Sequence, residues 1–231
     1  MKQKAWLSWS SGKDSAWALE RVRRQDEAEI VALLTTVNQT HHRVAMHAVR
    51  EELLDRQAEA LGLPLVKVQL PWPCPNAIYE SAMADAVERA RREGVTMMVF
   101  GDLFLEDIRR YREEKLAGTG IQPLFPLWEI NTAHLASQMI EAGLRAYLTC
   151  VDPKKLPRRF AGRMFDHTLL AEFPPDVDAC GENGEFHTFA FAGPMFRQPI
   201  VAQPGEVIER DGFVFADLIP GPSSKSFAQS R

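Results

Sequence analysis

The sequence predicts an α/β fold, with a parallel sheet covered by helices on both faces and then a smaller α+β region at the C-terminal end. Three observations carry this. Short apolar runs alternate with amphipathic helical patterns up to Val151, the signature of right-handed βαβ units. The central runs are apolar almost throughout, as strands buried on both faces are. After Val151 the chain becomes rich in Pro, Gly and Asp and changes to short strands.

The elements follow in order. AWLSWS reads as a short strand ending at Ser10. DSAWALERVRRQ is an amphipathic helix, with Ala18 and Val22 on one face and Arg21, Arg23 and Arg24 turned outward. EIVALLTTVN is a strand buried on both sides. AVREELLDRQAEALG places Leu53, Leu54, Gln57, Ala58 and Leu61 at helical spacing, and Gly62 fits the left-handed stop. PLVKVQL is a third strand. NAIYESAMADAVERARREG is a long helix, with Asn76 expected as N-cap and Gly94 as stop. TMMVFGD is a fourth strand, LEDIRRYREEKLAG a helix laced with opposite charges, and IQPLFPL a fifth, short strand. TAHLASQMIEAG is a helix stopping at Gly143, and RAYLTCV is read as a sixth strand of the same sheet. Further on, Asp211-Gly212 between two apolar runs is a two-residue hairpin signal, and its edge would suit a homodimer contact. The expected division is therefore residues 1–151, residues 152–219, and a disordered tail over 220–231.

Composition narrows the class. The 231-residue chain is 45% hydrophobic and 25% charged, an ordinary globular balance in a chain long enough to bury a sizeable core. A net charge of -4 argues against a dedicated nucleic-acid binder, although KKLPRR at 154–159 is a local basic run. Cys74, Cys150 and Cys180 lie far apart with no CxxC and no secretion signal, so reduced thiols in the cytoplasm are expected. No segment approaches the roughly 20 apolar residues that span a membrane.

The stretch LSWSSGKDSAW, residues 7–17, joins the first strand to the first helix. It is not a Walker A loop, because Leu7 stands where the first glycine belongs and Asp14 follows Lys13 where Ser or Thr belongs. A lone Gly12 also excludes the dinucleotide fingerprint. The chemistry still suits an anion. Free backbone N–H groups open the helix, Ser10, Ser11 and Ser15 add hydroxyls, and Lys13 adds a positive charge. Asp14 would repel a phosphate unless a Mg²⁺ bridged the two. The plainer reading is a capped helix with Lys13 in solvent.

Other groups gather where an open parallel sheet binds its ligands, beyond the carboxyl ends of its strands. Thr35 and Thr36 end the second strand and suit adenine or ribose contacts, or simply a β-branched strand. Gly101 and Asp102 end the fourth strand, where Asp102 is either a functional carboxylate or a helix cap. Glu106 lies one turn further on, as does Arg109, at a spacing that lets the two pair. Glu182 and Glu185 flank Asn183-Gly184 on a loop that enters a strand carrying His187 and Thr188. Such acids suit Mg²⁺, an amine or acid–base work, or a solvated turn. His41, His42 and His47 lack metal-ligand spacing. His47 is either near the nucleotide or in the first turn of a helix.

Ser10-Ser11-Gly12-Lys13-Asp14-Ser15 resembles the Ser-Gly-Gly-x-Asp-Ser pyrophosphate loop of the ATP pyrophosphatase superfamily, with Ser11 in place of the first Gly of the pair. CGENGEFHTFAFAGPMF, residues 180–196, resembles the Gly-Glu-x-Gly-Glu-Phe/Tyr-x-Thr segment of the diphthine–ammonia ligase (diphthamide synthetase) family. VFGDLFLEDIRRYREE and PLFPLW lend support. The two motifs in this order span most of the chain, whose compact length resembles bacterial members and lacks the extra domains of longer eukaryotic ones.

The resemblance implies a Rossmann-like fold of the adenine nucleotide alpha hydrolase type. It implies ATP on residues 10–15 with Thr35, Thr36, His47, Gly101 and Asp102, and Mg²⁺ held by Asp14. The reaction implied is adenylation of a carboxylate with release of pyrophosphate, followed by attack of ammonia or another amine. Lys13, Asp14, Glu182 and Glu185 would be catalytic, and Glu106, Gly184 and Thr188 would join the two glutamates in binding the acceptor. The acceptor stays open between diphthine, a cobalamin-related small molecule and another acid. A tRNA-thiolating enzyme and a non-catalytic nucleotide-binding module are the competing readings.

Overall fold

The computed structural model describes residues 2–40, 43–44 and 49–222. β1 (Lys4–Ser8) pairs in parallel with β2 (Glu29–Asn38) on one side and β5 (Met97–Val99) on the other. β4 (Leu65–Leu70) extends the sheet beyond β2, and β6 (Gln122–Leu124) beyond β5, both in parallel. β3 (Arg43–Val44) pairs antiparallel with the end of β2.

Strand alternation splits the core between the two faces. Ala5 and Leu7 of β1 pack with α1 (Lys13–Gln25) and α2 (Glu51–Leu61). Trp6 points the other way, toward α3 (Asn76–Arg92) and α4 (Glu106–Leu116). Both faces are thus covered, which is why these strands carry apolar residues in succession. In α1, Ala18 and Val22 are buried, Arg23 and Arg24 are exposed, and Arg21 is half-buried. Gly62 ends α2 in the left-handed region, as its position predicts.

Three expectations are corrected. β1 ends at Ser8 rather than Ser10, although the Trp9 N–H still donates to the Leu34 carbonyl of β2 at 2.8 Å. Asn76 is the first residue of α3 and does not cap it. Pro75 occupies the cap position, and the Asn76 amide instead donates to Glu80 at 3.1 Å. The sixth strand does not belong to the parallel sheet. After α5 (Thr132–Glu141), β7 (Arg145–Val151) enters a separate four-stranded sheet in the order β8-β7-β10-β9. The physical reason lies in β6, which is short and carries Pro123 opposite Met98. Proline lacks the N–H that a further ladder needs, so the parallel sheet ends there.

The second sheet is antiparallel, built from β7, β8 (Phe186–Ala192), β9 (Ala202–Arg210) and β10 (Phe213–Pro220). Before β8 the chain forms the short helix α6 (His167–Ala171). Asp211 and Gly212 both have positive φ, 54° and 81°, as a type I′ hairpin turn requires. The second sheet packs against α1, α2 and α5 in one continuous core. His41, His42, His47 and most of the expected disordered tail lie outside the described residues. Among those described, no helix is long and apolar enough to cross a membrane.

Trp6 is fully buried against the α3–α4 side of the sheet. Trp6→Ala is expected to lower stability by about 3–5 kcal/mol, the usual cost of emptying an aromatic core site. Urea-induced unfolding followed by circular dichroism checks this.

Candidate active site

A cleft of about 430 Å³ opens at the carboxyl ends of the central strands. Its floor is the turn between β1 and α1. Here Ser11 has a φ of 71°, in the left-handed region that favours glycine. This conformation turns the Ser11 carbonyl toward the second sheet, where it accepts from the Ala190 N–H of β8 at 2.9 Å and from Gln57 Nε2 at 2.9 Å. Gln57 is fully buried. It also donates to the Ala190 carbonyl at 2.6 Å and accepts from Trp9 Nε1 at 2.9 Å. The Lys13 N–H donates to Thr188 Oγ1 at 3.0 Å. The second sheet therefore holds the turn in shape.

Within the turn, the Ser10 and Ser15 hydroxyls lie 3.2 Å apart, and Ser15 Oγ donates to the Gly12 carbonyl at 3.0 Å. Gly101, at the end of β5, passes so close that a Cβ would stand 3.0 Å from the Ser15 nitrogen and the Asp14 carbonyl carbon. A glycine here lets the chain leaving β5 pass this close to the first turn of α1. Thr36 lines the cleft, whereas Thr35 is buried and donates to the Trp9 carbonyl at 2.8 Å.

The Lys13 ammonium is buried. It bonds both Asp14 carboxylate oxygens, at 2.9 and 3.0 Å, and the Cys180 carbonyl. The rings of Phe165 and Phe186 stand 5.5 and 5.2 Å from it. Burial pulls the Lys13 pKa down, but the Asp14 carboxylate, with Cys180 and Glu182, outweighs it and the net shift is upward, so the ammonium stays charged. The side chain thereby ties the loop to the 180–182 turn.

Glu182 lines the cleft opposite the loop and accepts from the Leu103 N–H at 2.7 Å. Burial pushes its carboxyl up to about 7. The Leu103 bond opposes this, and the negative charges of Asp14 and Asp102 add to it. Glu185 is not beside it. It is buried beneath the turn, where Oε1 accepts from the Asp178 N–H and the Asn183 amide, each at 3.1 Å. Gly184, at a φ of 81°, makes the turn between them, and Lys155 steadies it by donating to the Asn183 carbonyl at 2.6 Å.

Asp102 lines the cleft in an ion pair with Arg112 at 2.6 Å. Glu106 is exposed on the first turn of α4 and does not line the cleft. Arg109 pairs with Glu113, one turn on, rather than with Glu106. His47 lies outside the described residues.

A phosphate chain fits this floor. The turn presents serine hydroxyls and a helix start, and Gly101 leaves no side chain in the way. No cluster of three or more His, Cys, Asp or Glu side chains suited to a metal occurs among the described residues. Asp14, which lines the cleft from the loop, would be the residue to hold a Mg²⁺ that arrives with a nucleotide.

Two family models match the chain, "Diphthamide synthase N-terminal domain" over residues 1–122 and "Diphthamide synthase C-terminal domain" over residues 131–214. The chain belongs to the diphthamide synthase family. Among curated relatives, the diphthine–ammonia ligase of Rattus norvegicus is 28% identical over 235 residues, covering 90% of this chain and 86% of the relative. That of Danio rerio is 28% identical over 239 residues, covering 90% of each. The diphthine–ammonia ligase of Schizosaccharomyces pombe is 32% identical over 177 residues, which is 70% of this chain but 29% of the longer relative.

In this diphthamide synthase family member, sequence reasoning passed over several residues that shape the site. Gln57 had a readable signal, as the one amide on the apolar stripe of α2. Arg112, Tyr79 and Met83 line the cleft from α3 and α4, and only the packing of those helices brings them there. Cys180 and Cys150 are buried, and burial raises both thiol pKa values, that of Cys150 to about 12. Neither is a thiolate at neutral pH.

Two substitutions test this construction. Gln57→Leu keeps the volume but leaves Trp9 Nε1 and the Ala190 carbonyl without their partner, so a loss of about 1–3 kcal/mol for each is expected. Ser11→Gly relieves a left-handed φ and removes a buried hydroxyl that has no hydrogen-bond partner, so a gain of about 1 kcal/mol is expected. Thermal unfolding of both variants provides the comparison.

Proposed function

We propose that the protein is an ATP-dependent amide ligase that cleaves ATP to AMP and pyrophosphate. Membership in the diphthamide synthase family supports ligase chemistry. The observation that carries the finer reading is the apposition of the residue 10–15 turn and Glu182 across one cleft. In this reading the triphosphate lies along the turn, and ribose and adenine extend toward Thr36 and Val44. A carboxylate oxygen of the acceptor attacks the α-phosphorus, and the bond to the pyrophosphate oxygen breaks. Ammonia or another amine then adds to the acyl carbon, and AMP leaves with its former bonding electrons.

The chain's own residues divide this work. Ser10 donates to a phosphate oxygen, as do N–H groups of the first turn of α1 beyond that of Lys13, which Thr188 holds, while Ser15 braces the turn through the Gly12 carbonyl. Asp14 would hold Mg²⁺, which supplies charge neutralisation when bound. Lys13 keeps Asp14 and the 180–182 turn in place. Its positive charge, fixed in the loop, offsets charge growing on the α-phosphoryl group and the leaving pyrophosphate. Glu182 takes the proton that the attacking amine sheds, since a carboxyl with a pKa of about 7 serves as a base near neutrality. Glu185 fixes the turn that presents Glu182, and Thr188 fixes the loop from the acceptor side.

The division of labour expected from the sequence is kept as part of this proposal. Residues 1–151 bind the nucleotide, and residues 152–219 present the groups that meet the acceptor. Diphthine–ammonia ligase relatives make ammonia the first amine to try. The thiolation reading loses support from the raised thiol pKa values. Replacing Cys74, Cys150 and Cys180 together by Ser is expected to leave AMP formation within about threefold, a change of well under 1 kcal/mol in the barrier.

The direct test incubates the protein with Mg·ATP, ammonium and a small-molecule cell extract and resolves the nucleotides. AMP and pyrophosphate are expected, and both are lost in Asp14→Ala. Full turnover in that variant would sink the proposal.

Glu182 gives a second test, with a definite sign. Its folded pKa lies above the ordinary 4.5, so its contribution to stability is whole below about 4.5 and is lost as pH rises through about 7. Glu182→Gln keeps an oxygen for Leu103 but cannot ionise. The variant's melting temperature should therefore gain on the parent between pH 5 and 8, while the acid limb of the pH–rate profile near 7 disappears.

A further inference from the structure

The pairing of β10 with β9 is irregular at Asp217. Ala216 stands opposite Val207 and Leu218 opposite Pro204, so Gly205 and Glu206 together face Asp217. Such a bulge re-aims a side chain. By strand alternation, Asp217 leaves the sheet on the face opposite Val214, Ala216 and Leu218, all three of which are buried. Its carboxylate does not line the cleft, yet it grips the chain that does.

That chain has two arms. Arg43 pairs antiparallel with Arg50, and the Val44 N–H donates to the Val49 carbonyl at 2.9 Å. Val44 and Val49 are buried in the core, and Val44 also pairs with Val37 of β2 and lines the cleft. Arg43 and Arg50, one on each arm, reach the same carboxylate. Arg50 Nε donates to Asp217 Oδ1 at 3.1 Å and Arg50 Nη2 to Oδ2 at 2.5 Å, while Arg43 Nη1 donates to Oδ1 at 2.9 Å. Burial alone would raise the Asp217 carboxyl, but Arg50 and Arg43 outweigh it and hold it below its ordinary range, so it stays ionised. Its side chain is only 22% exposed, which sets this forked, shared contact apart from a surface ion pair. One acid held by both arms fixes their spacing.

We propose that Asp217 is a positioning residue for the nucleotide: by gripping Arg43 and Arg50 it fixes Val44 in the cleft wall, so that the second sheet contributes to ATP affinity without touching ATP. The proposal rests on the nucleotide placement above and adds to it a residue outside the cleft. A carboxylate that only braced the fold would alter stability and leave ATP affinity where it was. One that acted on ATP through its charge would repel the triphosphate, and its removal would tighten binding. The clamp requires the opposite sign: without it the two arms lose their spacing and binding weakens.

Calorimetric titration of the full chain with Mg·ATP, beside thermal unfolding without ligand, separates these cases. Asp217→Asn keeps the shape of the side chain and removes its charge. It is expected to raise the ATP dissociation constant about tenfold, within the usual range of coupling between sites, while the unliganded protein still unfolds cooperatively near the parent's temperature. Arg50→Gln should weaken ATP binding as well. The double variant should bind within about twofold of Asp217→Asn alone, because both changes break one contact. Unchanged or tighter ATP binding in Asp217→Asn or in Arg50→Gln, or losses that multiply in the double variant, overturns the clamp and leaves the nucleotide reading standing. Failure of the parent protein to bind Mg·ATP overturns both.

Discussion

The site depends on where the Ser11 carbonyl points. A residue with an ordinary negative φ would aim that oxygen elsewhere, whereas the left-handed turn aims it at Ala190 and Gln57. One acceptor thus joins the first strand–helix turn, the buried amide of α2 and the central part of β8. The groups are buried, so each would be costly if left unpaired, and this is what gives the junction its rigidity. The left-handed strain at a non-glycine residue, on the order of 1 kcal/mol, is small beside what those bonds secure.

From that junction the rest of the cleft follows. Because β8 is fixed to the loop, the turn that precedes β8 comes to rest above the loop. Lys13 then bridges the two by holding Asp14 and the Cys180 carbonyl at once. Glu182 is delivered to the rim, faces the Asp14 and Asp102 carboxylates, and loses enough water for its own carboxyl to titrate near neutrality. The parallel sheet supplies a floor suited to phosphate, and the antiparallel sheet supplies an acid placed across from it. Neither unit makes the cleft alone. The buried ammonium between two phenylalanine rings is the point at which they are fastened.

Much of this was legible in the sequence. The strands of the parallel sheet other than β3, and its helices, announced themselves by period, because both faces of that sheet are covered and its central strands are largely apolar. The hairpin at Asp211-Gly212 was readable for a local reason, since two successive positive φ angles select those residue types. The loop at residues 10–15 and the glutamate turn were legible as chemistry and, by resemblance, as a pair. RAYLTCV was misplaced because an apolar strand carries no mark of the sheet it will join. That was decided by Pro123, which closes the edge of the parallel sheet, and by the longer partners waiting in β8 and β10.

The sequence by itself determined the α/β alternation, the strand–helix turn at residues 10–15 and the residue types that meet there, because these rest on local periodicity and on backbone geometry within a few residues. Only the tertiary structure decided that Glu182 faces the cleft while Glu185 lies beneath it, that Lys13 turns inward to the 180–182 turn, and that Arg112 and Tyr79 line the cleft. Those facts arise from contacts between residues far apart in the chain. Burial and charge at such contacts are properties of the packed whole, which the residue types alone do not specify.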